Sequence, residues 1–244
     1  MKRPTMKDSP AFDAGPSLRA IPFGATTVAG STRLLNETHR RHLGEIATLV
    51  DLKPPAIVYR ADSPAEFVYI VAAGVMKITR DLPSGKRRIT AFIFAEDIFG
   101  LAENGRYVST ARTVTAATLY RIPVGSLELL LSRDPELPLQ FLCKVTHELR
   151  ESQRQTLIVG RRDAVGRVAM FVKMLERRGG SEEPQSEVPI PMSRTDIANY
   201  LGMSLEAVVR ASRVLEHHGI VAFPNRHRAV VLNRGRLDRL AANH

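Results

Sequence analysis

The sequence predicts an α+β chain in three parts: an N-terminal β-roll, a long helix and a C-terminal winged helix-turn-helix. Three observations predict it. Residues 56–123 carry short apolar runs separated by turn signals, the rhythm of an antiparallel sandwich or roll. Residues 139–159 contain no proline or glycine and space their apolar positions by three and four. Residues 192–215 hold two short helical patterns around a glycine.

Residues 1–30 are rich in Pro, Gly, Ser and Ala without periodicity and are expected to form a mobile arm. The roll is expected over 31–137. It opens with a helical pattern in residues 32–52, where Leu34, Leu35, Leu43, Ile46 and Leu49 can cover the end of a sheet. Strands are expected at 67–71, 75–79, 88–94 and 111–122, with Gly74 and the Pro83-Ser84-Gly85 cluster at tight connections. In the helix expected over 138–160, Leu142, Val145, Leu149, Ser152, Thr156 and Val159 form a heptad-like seam. That seam can pair with a second copy to make a homodimer, or pack on its own sheet. Polar Ser152 and Thr156 weaken its lower half. Gly160 ends the helix, and a further helix over 163–178 presents Val165, Val168, Ala169, Val172 and Leu175. An acidic loop at 179–189 then leads on within a C-terminal domain expected over 161–244.

Ser193 suits the N-cap of the first short helix, with Asp196 answering it three residues on. Gly202 suits the turn, because it accepts positive φ without a Cβ clash. Ser204 caps a second helix in which Val208, Ala211, Ser212 and Leu215 align inward, widened by Val214. The opposite face carries Glu206, Val209, Arg210 and Arg213. An ordinary amphipathic hairpin has the same spacing, but this outward set suits a recognition helix in the major groove of DNA. Arginine forks onto guanine O6 and N7, a carboxylate accepts from the cytosine amino group, and a valine packs on the thymine methyl. Ser193, Arg194 and Ser204 stand at helix starts, where hydroxyls, unpaired N–H groups and a cation hold phosphate. Residues 220–223 and 228–232 form a β-wing with Arg226, His227 and Arg228 near its tip.

The formal net charge of +10 favours an anionic partner such as double-stranded DNA. No apolar run is long enough to cross a bilayer and no apolar signal core follows Lys2 and Arg3, so no membrane association and a cytoplasmic location are expected. A single cysteine, Cys143, excludes an internal disulfide and cannot alone hold zinc or an iron–sulfur cluster. His217 and His218 point apart at a helix end, and His39, His42 and His147 lack partners at zinc spacing. No metal and no cofactor are expected.

The segments YIVAAGVMKITRDLPSGKRRITAFIFAEDIFGL at 69–101 and SRTDIANYLGMSLEAVVRASRVLEHHGIV at 193–221 resemble the Crp/Fnr family of bacterial transcription regulators, most closely its FixK branch. The resemblance implies a cyclic-nucleotide-binding-like β-roll, a homodimer on an inverted-repeat operator with TGA-like half-sites, and RNA polymerase as a further partner. Two departures stand out. Family members that bind cyclic nucleotides carry a glycine–glutamate element and an Arg-Ser-Ala segment, where this chain has residues 99–107 and 109–113 with Glu103, Arg106 and Arg112. FixK-like relatives commonly carry serine where this chain has Val209. An organic effector in the roll stays open as an alternative, with its identity unknown. A metal-dependent β-barrel enzyme is more remote, since the strands lack two histidines and a carboxylate.

Overall fold

A computed structural model describes residues 37–82, 85–102, 104–161, 163–179 and 187–242. The expected arm at 1–30, Leu34, Leu35, Pro83, Ser84 and Glu103 lie outside the described residues. The first elements are α1 (Glu37–Glu45), β1 (Thr48–Leu52), β2 (Ile57–Tyr59), β3 (Phe67–Ala73), β4 (Met76–Asp81), β5 (Arg87–Ile93), β6 (Ile98–Phe99), β7 (Thr110–Thr113) and β8 (Ala117–Pro123). They make two antiparallel sheets, ordered β1-β8-β3-β6 and β2-β7-β4-β5.

The helical pattern expected over 32–52 ends early. Leu49 belongs to β1, paired with Tyr120 of β8, and is exposed rather than covering the sheet. The expected strand over 111–122 is two, because the chain turns at 114–116 to cross from one sheet to the other. Gly74 shows how tight that corner is. Its φ is +90°, and a Cβ there would lie 2.3 Å from the Ala116 carbonyl oxygen, so only glycine fits.

Strand β3 is apolar throughout because both its faces are covered. Val68 packs with Leu43, Ile122, Leu127 and Leu137 on the helical side, while Tyr69 and Val71 face the roll interior. The helices on that side are α1, α2 (Val124–Arg133) and the start of α3 (Leu137–Gly160). Asp134 accepts the N–H groups of Glu136 and Leu137. Its other oxygen meets buried His39, whose second ring nitrogen meets Gln140, so α1 is pinned to the root of α3.

Rings fill the roll interior. Tyr59 and Tyr107 stack at 3.8 Å between centroids, and Tyr69 and Phe99 stack at 5.3 Å. Tyr107 Oη donates to the Phe67 carbonyl at 2.7 Å. Burial pushes the Tyr59 and Tyr69 hydroxyls above their usual range.

The C-terminal elements are α4 (Ala164–Gly179), β9 (Glu187–Pro189), α5 (Arg194–Leu201), α6 (Leu205–His217), β10 (Val221–Asn225), β11 (Arg228–Val231) and α7 (Arg234–Ala242). The segment expected as a loop over 179–189 ends in a strand: β9 joins β11 to make a three-stranded wing, β10-β11-β9. Asp163 caps α4 through the N–H groups of Val165 and Gly166. The stripe expected on α4 holds, with Val168, Ala169, Val172 and Leu175 buried and Val165 packed against them.

Truncating Tyr107 tests the ring stack. Tyr107→Ala is expected to cost about 3–5 kcal/mol, and Tyr107→Phe, which loses only the hydroxyl contact, about 1 kcal/mol. The shift in denaturant midpoint at unchanged slope measures both.

Candidate nucleic-acid interface

Helices α5 and α6 meet through a turn whose geometry is built locally. Ser193 Oγ accepts the Asp196 N–H at 3.0 Å, and Ser204 Oγ accepts the Ala207 N–H at 3.1 Å, so each serine caps its helix. Gly202 takes φ +64° and ψ 39°, closing α5 in the left-handed region, while the Met203 N–H reaches back to the Ala198 carbonyl. On α6 the inward set is Val208, Ala211, Ser212 and Leu215. Val214, expected to widen that stripe, is instead exposed at 39%; it lies past the edge of the face that α4 covers.

The outward face carries Glu206, Arg210 and Arg213, all exposed, with Val209 half-buried between them. Leu205 is exposed at the helix start, so Val209 is not the sole apolar group there. No salt bridge engages Arg210 or Arg213 among the described residues. Glu206 is held below the usual carboxylate range by its own backbone N–H, then by the Ser204 hydroxyl and the charge of Arg210. The result is an anionic acceptor and two available forked donors on one solvent-facing helix.

Arg194 at the start of α5 lies against the wing. Its guanidinium stacks 4.9 Å from the Phe223 ring centroid, and burial there pulls it below its usual range, opposed by the charge of Glu216. The wing-tip cations are partly spoken for: Arg228 pairs with Glu187 at 2.8 Å, and Arg226 Nε meets His227 Nε2 at 2.9 Å.

On α3, Leu142 and Leu149 are 60% and 58% exposed and Leu157 is 51% exposed, forming an uncovered apolar row. Val145 is half-buried and Thr156 exposed, while the Ser152 side chain lies outside what is described. Val159 borders the helix-turn-helix: its side chain lies 3.5 Å from where a Cβ on Gly202 would stand. Cys143 is half-buried on the same helix. In the roll, Arg106 donates to the Asp62 carbonyl, and Arg112 has a buried Nε without a hydrogen-bond partner.

Sequence reasoning missed Arg167. Its Nε donates to the Arg161 carbonyl at 2.6 Å, and its Nη1 to the carbonyls of Leu201 and Gly202 at 3.0 and 3.3 Å. No local spacing distinguishes it from neighbouring arginines. Also missed were Lys77, which meets Asp196 at 2.7 Å, and Asn199, whose side chain bonds strand β5.

A two-sheet roll joined by a long helix to a winged helix-turn-helix defines a DNA-binding regulator with a cyclic-nucleotide-type roll. The cyclic nucleotide-binding domain model matches residues 49–134, and the Crp-like helix-turn-helix domain model matches residues 166–240. The chain is 35% identical over 185 residues to the nitrogen fixation regulation protein FixK of Azorhizobium caulinodans, covering 75% of each. It is 33% identical to the transcriptional activatory protein AadR of Rhodopseudomonas palustris, over 81% of this chain and 82% of that one. The solved structure of FixK2 from Bradyrhizobium japonicum superposes with a TM-score of 0.74 at 32% identity, covering 82% of this chain and 99% of that one. The chain belongs to the Crp/Fnr family of transcription regulators, in its FixK branch, and its function is that of a DNA-binding transcription regulator. No helix among the described residues is long and apolar enough to cross a membrane.

Proposed function

We propose that the chain acts as a cytoplasmic homodimer that binds an inverted-repeat operator with TGA-like half-sites and meets RNA polymerase there. Residues 31–137 form the roll, 138–160 the dimerisation helix and 161–244 the DNA-binding domain. The observation that carries this reading is the outward face of α6, where Glu206, Arg210 and Arg213 stand exposed while the opposite face is fully packed. Arg210 and Arg213 donate to guanine, Glu206 accepts from cytosine, and Val209 packs on a thymine methyl. Ser193, Arg194 and Ser204 contact phosphate. Arg194 leaves Phe223 to do so, exchanging a ring contact for an anion.

The seam through Leu142, Val145, Leu149, Ser152, Thr156 and Val159 pairs two copies. Bare leucines spaced seven apart support this, since leaving them in water forgoes about 25 cal/mol per Å² of apolar surface. The ring-filled roll favours a regulator that takes its signal without an organic effector between the sheets. No reaction is assigned to the chain.

Light scattering at micromolar concentration is expected to give a dimer, and Leu149→Asp to give monomers. A wild-type monomer binding a single half-site at full affinity refutes the pairing. Replacing the arginines separates reading from positioning. Arg210→Ala is expected to cost about 1–3 kcal/mol per half-site and to relax preference at one G·C pair, whereas Arg194→Ala weakens binding on all sequences and lowers the salt slope by about one. Equal losses on specific and random DNA for both variants contradict these roles. Deoxyuridine in place of each half-site thymidine tests Val209: affinity falls at one position, and unchanged affinity at every position removes the methyl contact.

A further inference from the structure

Strand β5 is the edge of its sheet, so no neighbouring strand covers its outer side, where another strand would normally be recruited. A side chain takes that place instead. Asn199, near the end of α5, accepts the Ile89 N–H through Oδ1 at 2.6 Å and donates from Nδ2 to the Arg87 carbonyl at 2.9 Å. These are the two groups, flanking Arg88, that a neighbouring strand would engage. The amide therefore docks the first helix of the helix-turn-helix on the roll at two points, which fixes direction as well as distance.

Other contacts surround the dock. One turn back on α5, Asp196 meets Lys77 of β4 at 2.7 Å, with both side chains about four-fifths buried. Tyr200 packs 5.0 Å from Phe92 of β5 and 5.8 Å from Phe171 of α4. At the C-terminal end of α4, Arg178 meets Asp97 at 2.6 Å, and the Asp97 side chain is only 2% exposed. At the turn, a Cβ on Gly202 would stand 2.0 Å from a guanidinium nitrogen of Arg88, so the Arg88 side chain of β5 reaches the turn.

None of these contacts uses the outward face of α6. Glu206, Arg210 and Arg213 remain exposed while Asp196 and Asn199 are engaged, so docking and DNA reading occupy different faces. We infer that Asn199 and Lys77 are positioning residues for operator recognition. Through β4 and the edge of β5 they set the orientation of α6 relative to α3, and in a dimer this determines the operator spacing that the two recognition helices accept. The inference rests on the dimeric reading proposed above. A recognition helix held on a loose hinge would tolerate several spacings, whereas one clamped to the roll selects one.

The test compares the full-length wild type, Asn199→Ala and Lys77→Ala on duplexes with a single TGA-type half-site. It also uses inverted repeats whose half-site centres lie about 10 base pairs apart, or are shifted by one and two base pairs. For both variants, binding to the best-spaced repeat is expected to fall about tenfold, the scale of the two hydrogen bonds lost in Asn199→Ala or of the one charge-assisted bond lost in Lys77→Ala, and the penalty for shifted spacing to shrink. Single half-site binding stays at the wild-type level, which a merely unfolded domain would not allow. Hydrogen exchange supplies a readout independent of DNA: in Asn199→Ala the Ile89 amide exchanges faster while the α6 amides keep their protection. Should Asn199→Ala fail to fold, Lys77→Ala, which leaves α5 intact, decides by the same spacing profile. Wild-type spacing profiles in the variants that fold overturn the inference alone, and so does tighter binding on release of the clamp. A wild type indifferent to repeat over half-site overturns the dimeric reading and the inference with it.

Discussion

The guanidinium of Arg167 ties together the ends of two helices. The last turn of a helix leaves carbonyls without intrahelical partners and carries partial negative charge. Arg167 donates to the Arg161 carbonyl just beyond α3 and to the Leu201 and Gly202 carbonyls at the end of α5. One planar cation on α4 thus fixes the exit of the long helix against the turn of the helix-turn-helix. A lysine offers a single point of charge and could not satisfy both ends with this fork. The contacts of α5 with β5 and the course of α6 follow from where that turn is held.

Legibility in the sequence tracked how local each signal was. The caps Ser193 and Ser204, the left-handed Gly202 and the inward stripe of α6 were readable because each depends on spacing within a few residues. The roll was readable as a rhythm but not in its corners. A single run at 111–122 hid the crossing at 114–116, since the turn there contains Val, Thr and Ala rather than glycine or proline. Helix α2 was not anticipated for a similar reason: it starts directly after Pro123, carries Gly125 in its first turn, and has no capping side chain. Strand β9 went unseen because an edge strand of three residues owes its form to its partner β11 rather than to its own composition.

For the site, the face of α6 was legible and its supports were not. Asn199 reads as an ordinary helix-end polar residue, and its role appears only when β5, more than a hundred residues away in sequence, is brought alongside. Arg167 and Lys77 are likewise anonymous among the basic residues. Arg194 was legible as a helix-start cation, yet the ring it rests on comes from the wing. Pairings between separate elements carry no periodicity, so they escape any reading of spacing.

The distribution of tyrosines has an optical consequence. The chain has no tryptophan and five tyrosines. Tyr59, Tyr69, Tyr107 and Tyr120 lie in the roll, and Tyr200 is the fifth, wedged between Phe92 and Phe171 with its hydroxyl 3.4 Å from the Met174 sulfur. The near-ultraviolet signal of the DNA-binding domain therefore comes, among aromatic hydroxyls, from a single chromophore seated at the junction with the roll. Any rearrangement of that junction is written into the absorption and emission of one residue, with no label attached.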